Sequence, residues 1–166
     1  SGKTEVYLHW LADVLARARH LLLADLGDEH FITLLFADLD PATGVWTYVN
    51  AGHPAGIVLG PAGEVKAEWL PNTAALGIDR DEERLVPGRI ALEKGDLLLL
   101  LTDGILEAHA KSGEEFGEDR VLELVRREIA KPAAEIIRAL LDAAQRFADP
   151  ESPRQDDMTA VVVKVG

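Results

Sequence analysis

Gly95-Asp96-Leu97-Leu98-Leu99-Leu100-Leu101-Thr102-Asp103-Gly104 is the stretch on which the reading of this chain turns. Five consecutive leucines are too few for an ordinary helix and match a strand buried on both faces. Glu93-Lys94-Gly95-Asp96 punctuates its start, and Thr102-Asp103-Gly104 closes it with turn formers. Ahead of it the pattern is also strand-like. Residues 31–37 are rich in β-branched and aromatic side chains. Asp40-Pro41-Ala42-Thr43-Gly44 makes a turn, and residues 45–49 read as the return strand. Further strands are predicted around residues 57–59, 65–69 and 89–92, whereas residues 71–84 show no clear period and read as a surface loop.

Helical spacing flanks this block on both sides. Tyr7, Leu11, Val14, Leu15, Ala18 and Leu22 share one face before it. After Gly117, Val121, Leu124, Val125 and Ile129 form a second face. Pro132 then stands where a first helical turn accepts proline, ahead of a third face through Ile136, Ile137, Leu140, Leu141, Ala144 and Phe147. A last strand is predicted over residues 158–165. Helix, antiparallel strands, helices, strand: the order predicts an α+β fold with a sheet core, organised as one domain over residues 1–166.

Composition narrows the function. The chain has 166 residues, 48% of them hydrophobic, which suits one core of ordinary size. Asp and Glu total 29 against 17 Lys and Arg, a net charge of −12. That balance excludes the basic face a nucleic-acid binder needs and disfavours anionic membrane surfaces. Without cysteine there is no disulfide framework, zinc–thiolate site or thiol nucleophile. No stretch reads as a signal peptide, and no apolar run approaches the roughly 20 residues of a membrane span. A cytoplasmic location is the expectation.

Two acidic clusters stand at element ends. Asp103 follows the leucine strand, where a carboxylate is positioned by the strand and Gly104 lets backbone approach closely. The same residues also read as a turn, with Thr102 or Asp103 capping a short helix through Ile105, Leu106 and Glu107. Gln155-Asp156-Asp157 precedes the last strand. Adjacent carboxylates there fit either a bound cation or a solvated polar loop. Oxygen-only ligands of this kind suit magnesium or manganese rather than zinc or copper. Asn50-Ala51-Gly52-His53-Pro54 is a strand-end turn carrying a histidine, and Gly113-Glu114-Glu115-Phe116-Gly117 reads as a turn that anchors Phe116 in the core, with a ligand-cradling loop as the alternative. Neither a serine-nucleophile elbow nor a phosphate-binding glycine loop is present.

Taken in order, these pieces resemble the SpoIIE-type bacterial serine phosphatases, a branch of the metal-dependent, type 2C-like protein phosphatases. The resemblance is carried by Phe31-Ile32-Thr33-Leu34-Leu35-Phe36, Leu39-Asp40-Pro41-Ala42-Thr43-Gly44, Tyr48-Val49-Asn50-Ala51-Gly52-His53-Pro54 and Leu76-Gly77. Gly95-Asp96 with the leucines, Thr102-Asp103-Gly104-Ile105-Leu106-Glu107-Ala108, the Gly113–Gly117 turn and Asp156-Asp157-Met158-Thr159 continue it. It implies a two-sheet antiparallel β-sandwich flanked by helices, with a two-metal Mn2+ or Mg2+ centre. It also implies direct hydrolysis of phosphoserine or phosphothreonine by water, with no side-chain nucleophile. Paired divalent ions neutralise phosphoryl oxygens and activate water, so the protein supplies carboxylates. On the family pattern Asp103 and Asp156 are metal ligands, Asp157 stands where relatives often carry asparagine, and His53 belongs to a motif near the active-site end of the sheet, with structural support the favoured of its roles.

The resemblance further implies a phosphorylated regulatory protein as substrate, such as an anti-sigma-factor antagonist, and an upstream sensor or receiver domain in the parent chain. The family's earlier motifs, with the aspartate that bridges the two metals, have no counterpart here. The chain is therefore expected to match roughly the C-terminal two-thirds of the catalytic domain, to be inactive alone, and to self-associate through open strand edges. The alternative is a catalytically inactive phosphatase-like module that binds and regulates a partner.

Overall fold

Seven strands and three helices follow residue 31 among the described residues of the computed structural model, which are 31–78, 86–151 and 156–166 together with Trp10, Asp13, Val14, Arg17 and Leu21. Their order is β1 (Leu34–Asp40), β2 (Val45–Ala51), β3 (Gly56–Leu59), β4 (Val65–Trp69), β5 (Gly88–Ala91), β6 (Leu97–Leu101), α1 (Asp103–Leu106), α2 (Gly117–Glu128), α3 (Ala133–Phe147) and β7 (Ala160–Lys164). The five described residues of the leading segment are helical, as its periodicity predicts. Tyr7, Leu11, Leu15, Ala18 and Leu22, which carry most of that prediction, lie outside the described residues. Val14, assigned to the apolar face, is 40% exposed. The chain divides into two compact units, and each builds one antiparallel sheet.

The first unit takes in Ser1–His53 and Trp69–Leu92. Its sheet runs β1-β2-β5, with Asp40 opposite Val45 across the predicted turn. The first strand starts three residues later than its composition suggests. Ile32 instead exchanges backbone hydrogen bonds of 2.8 Å with Leu76. The stretch read as a surface loop is thereby partly interior, because Ala75 and Leu76 are both buried. Gly52 makes this approach possible: its φ is +67°, and a Cβ there would stand 2.8 Å from the Ala75 Cβ. Trp69 is fully buried, stacked on Tyr48 at 4.9 Å and tilted against Trp46 at 5.7 Å. Burial raises the pKa of the Tyr48 hydroxyl.

The second unit takes in Pro54–Glu68 and Glu93–Gly166, and its sheet has the order β4-β3-β6-β7. β6 is internal, pairing Leu99 with Ile57 on one side and with Val162 on the other. That position explains the run of leucines, since an internal strand covered on both faces has no use for alternation. Leu97, Leu99 and Leu101 join Val121, Val125, Ile136 and Leu140 in one core, so the apolar stripes of α2 and α3 cover this face of the sheet. Burial of each such side chain contributes roughly 1.5–3 kcal/mol. Phe116 is buried with its ring edge-on to Phe147 at 5.4 Å, and the Arg120 guanidinium lies 4.8 Å from the Phe147 centroid. The turn before α2 thus anchors Phe116 as expected. Pro132 sits one residue ahead of α3 rather than inside its first turn. None of the described helices is long and apolar enough to cross a membrane.

One buried charge holds the start of β6. Asp96, 1% exposed, accepts hydrogen bonds from the Glu93 amide at 2.8 Å and from Lys66 Nζ at 2.9 and 3.0 Å. Hydrogen bonds to Glu93 and then Asp96 raise the Lys66 pKa above the ordinary lysine value. A raised lysine contributes stability that is complete below its unfolded pKa and disappears as pH climbs through its folded one. Thermal melts across the alkaline range are therefore expected to show a loss of stability above the ordinary lysine range that is absent in Lys66→Met.

Candidate functional site

Antiparallel pairing of β6 with β7 sets Leu101 opposite Ala160, so the residues just beyond these two ends meet although they are far apart in the chain. Thr102 N donates to Thr159 O at 3.1 Å, extending the ladder by one bond. The reciprocal bond of a regular pair would run from Thr159 N to Thr102 O. Thr102 O is already used, accepting from Ile105 N at 3.2 Å in the first turn of α1. The Thr102 hydroxyl takes its place, accepting from Thr159 N at 2.9 Å and donating to Asp157 O at 3.0 Å. Thr102 occupies the N-cap position of α1, yet its side chain makes no cap bond. The capping role open to it from sequence is replaced by a tie across to the second acidic cluster.

Gly104 brings the same two segments into contact. A Cβ on it would lie 3.2 Å from the Asp156 carbonyl carbon and only 2.6 Å from Asp157 O, the latter too close for any side chain unless the 156–157 backbone shifts. Asp103 opens α1 with Oδ1 accepting from Gly104 N at 2.9 Å. Asp103, Asp156 and Asp157 are all exposed at this end of the sheet. The structure therefore brings the Asp103 and Asp156-Asp157 motifs together. The donors are carboxylates and backbone oxygens, the set a hard divalent cation prefers. Among the described residues no three His, Cys, Asp or Glu side chains converge closely enough to hold a metal ion by themselves. The donor type fits magnesium or manganese, and the described carboxylates would supply at most part of a coordination shell.

The histidine motif sits in the first unit, in a network of its own. Asn50, 0% exposed, donates through Nδ2 to Trp69 O at 2.9 Å and accepts from the His53 amide at 2.8 Å. Its backbone N–H donates to Asn72 Oδ1 at 2.9 Å, and its carbonyl accepts from the Asn72 and Thr73 amides. His53 Nδ1 shares a 3.2 Å hydrogen bond with the Thr33 hydroxyl. His53 is thus tied into a strand-end turn, in keeping with structural support. The motif's buried centre is Asn50, which sequence reading passed over, and Asn72 lies in a stretch with no periodic signal at all.

Two antiparallel sheets with α2 and α3 on one face of the second, and paired acidic turns at one sheet end, define the fold of the PP2C-type phosphatases. The PP2C domain of SpoIIE from Bacillus subtilis, solved with a fragment of its regulatory domain, superposes with a TM-score of 0.74 at 21% identity, over 99% of this chain and 49% of that one. A manganese-presoaked SpoIIE phosphatase domain from the same organism superposes with a TM-score of 0.55 at 24% identity, over 80% of this chain and 56% of that one. The family model "Stage II sporulation protein E (SpoIIE)" matches residues 4–166, and the chain belongs to that family. The phosphoserine phosphatase RsbU of Bacillus subtilis (strain 168) is 24% identical over 153 residues, 92% of this chain and 44% of RsbU. The chain spans less than half the length of the curated relatives it matches.

Proposed function

We propose that this chain is a single SpoIIE-type domain and part of a metal-dependent protein phosphatase that hydrolyses phosphoserine or phosphothreonine on a bacterial regulatory protein, an anti-sigma-factor antagonist being the substrate class the resemblance favours. The observation that carries this reading is the junction of β6 and β7, where Thr102-Asp103-Gly104 and Asp156-Asp157 meet. Asp103 and Asp156 are the residues that would hold Mn2+ or Mg2+. A bound divalent ion supplies charge neutralisation at the phosphoryl oxygens and a lowered pKa for water. The chain's own contribution is placement: β6 and β7 deliver the two carboxylates to one end of the sheet. An upstream sensor or receiver domain and a cytoplasmic location belong to the same proposal.

The test is release of inorganic phosphate from a phosphoserine-bearing protein substrate by the full-length parent protein, with and without manganese. Turnover that chelation abolishes and manganese restores supports the proposal. Metal-independent turnover overturns the metal assignment, and binding without turnover selects the inactive module. The 166-residue polypeptide alone is expected to bind manganese weakly and to show negligible turnover, because its two proposed ligand carboxylates leave most of an octahedral shell to water. Calorimetric titration checks this; sub-micromolar affinity would contradict it.

A further inference from the structure

We infer that the Thr102 hydroxyl, acting with the missing side chain of Gly104, is the positioning device that sets the spacing between Asp103 and the Asp156-Asp157 segment; this rests on the proposed metal-binding role of those aspartates. β6 must stop being a strand at Leu101 so that Asp103 can open α1, and that transition consumes the Thr102 carbonyl through Ile105 N. A side chain without an acceptor at this position leaves the Thr159 amide and the Asp157 carbonyl with no protein partner across the junction. The hydroxyl serves both, accepting at 2.9 Å and donating at 3.0 Å. One side chain therefore ties the start of α1 to the approach of β7 at the level where the acidic residues stand. Gly104 sets the closeness of that approach, since a Cβ there would stand only 2.6 Å from Asp157 O. The tie fixes backbone on both sides of the carboxylates without touching them, so Thr102 is a positioning residue and not a ligand.

The measurement is manganese affinity by calorimetry on the full-length parent protein, well below its melting temperature, for Thr102→Val, Thr102→Ser and Gly104→Ala beside Asp103→Asn. Thr102→Val keeps the shape and removes the hydroxyl; it is expected to weaken affinity about tenfold or more, the range typical of residues that support metal ligands. Thr102→Ser is expected to restore it. Amide exchange at Thr159 should accelerate in Thr102→Val and return to normal in Thr102→Ser, a readout independent of metal. Gly104→Ala retains the hydroxyl but displaces the 156–157 segment, and it too is expected to weaken manganese; it decides the matter should Thr102→Val fail to fold. Wild-type affinity in both Thr102→Val and Gly104→Ala, with Asp103→Asn impaired, overturns the positioning role and leaves the metal reading standing. Unchanged affinity in Asp103→Asn overturns the metal reading itself.

Discussion

Asp103→Asn and Asp156→Asn, each made in the full-length parent protein, are expected to lower manganese-dependent phosphatase turnover by about two orders of magnitude or more. Each substitution keeps the side chain's shape and removes its negative charge, and the proposed site works by charge neutralisation. Both residues are exposed at the β6–β7 junction, where an asparagine meets no packing obstacle, so the variants should fold normally. Asp157→Asn is expected to be much milder, because Asp157 is not one of the two proposed ligands. Turnover at saturating manganese separates the three, with circular dichroism confirming the fold of each. An inactive Asp157→Asn beside an active Asp156→Asn would exchange the ligand assignment. Undiminished turnover in all three would overturn the assignment of these aspartates to the metal site.

Much of the second unit was legible in the sequence because its pattern is local. The leucine run, the α2 and α3 stripes and the turn that buries Phe116 each follow from spacing within a few residues, and each appears where that spacing puts it. What spacing could not supply was pairing. Nothing in Thr102 by itself distinguishes a helix cap from a tie across to Thr159, since both use the same hydroxyl; the choice is made by the register of Leu101 with Ala160. The first unit was less legible for the same reason. Residues 71–78 carry no period because they are held by isolated bridges, Ile32 with Leu76 and Ala51 with Thr73, rather than by a ladder. Strand composition at Phe31 and Ile32 therefore pointed to a start three residues early. Strand alternation also left open which face of the last strand meets the core. The structure packs Met158, Ala160 and Val162 against the helix-covered core and leaves Val161 exposed.

Asn50→Ala should give the largest loss of stability among single polar substitutions. Asn50 has no exposed surface, and its side chain serves two backbone groups, the Trp69 carbonyl and the His53 amide. Truncation leaves both without that partner and opens a void in a site too enclosed for water to enter freely. An unsatisfied buried polar group costs about 1–3 kcal/mol, so the pair predicts a loss of roughly 2–6 kcal/mol, a large share of the stability of an ordinary domain. The damage should spread in a definite direction. Trp69 ends β4 and stacks on Tyr48, so loosening its carbonyl should disturb the ring stack, and indole fluorescence should change in the native baseline as well as at the transition. Asn50→Asp keeps the volume and the acceptor for the His53 amide but turns a carboxylate toward the Trp69 carbonyl. At neutral pH it should be worse than alanine, since a buried charge then faces an acceptor instead of a donor. Acidification should recover part of the loss in Asn50→Asp and none in Asn50→Ala, because a protonated carboxyl can donate where Nδ2 did. Urea denaturation of the three proteins at neutral and mildly acidic pH decides it. Equal stability of Asn50→Ala and wild type would mean that the motif around His53 is held by the Asn72 and Thr73 backbone bonds alone.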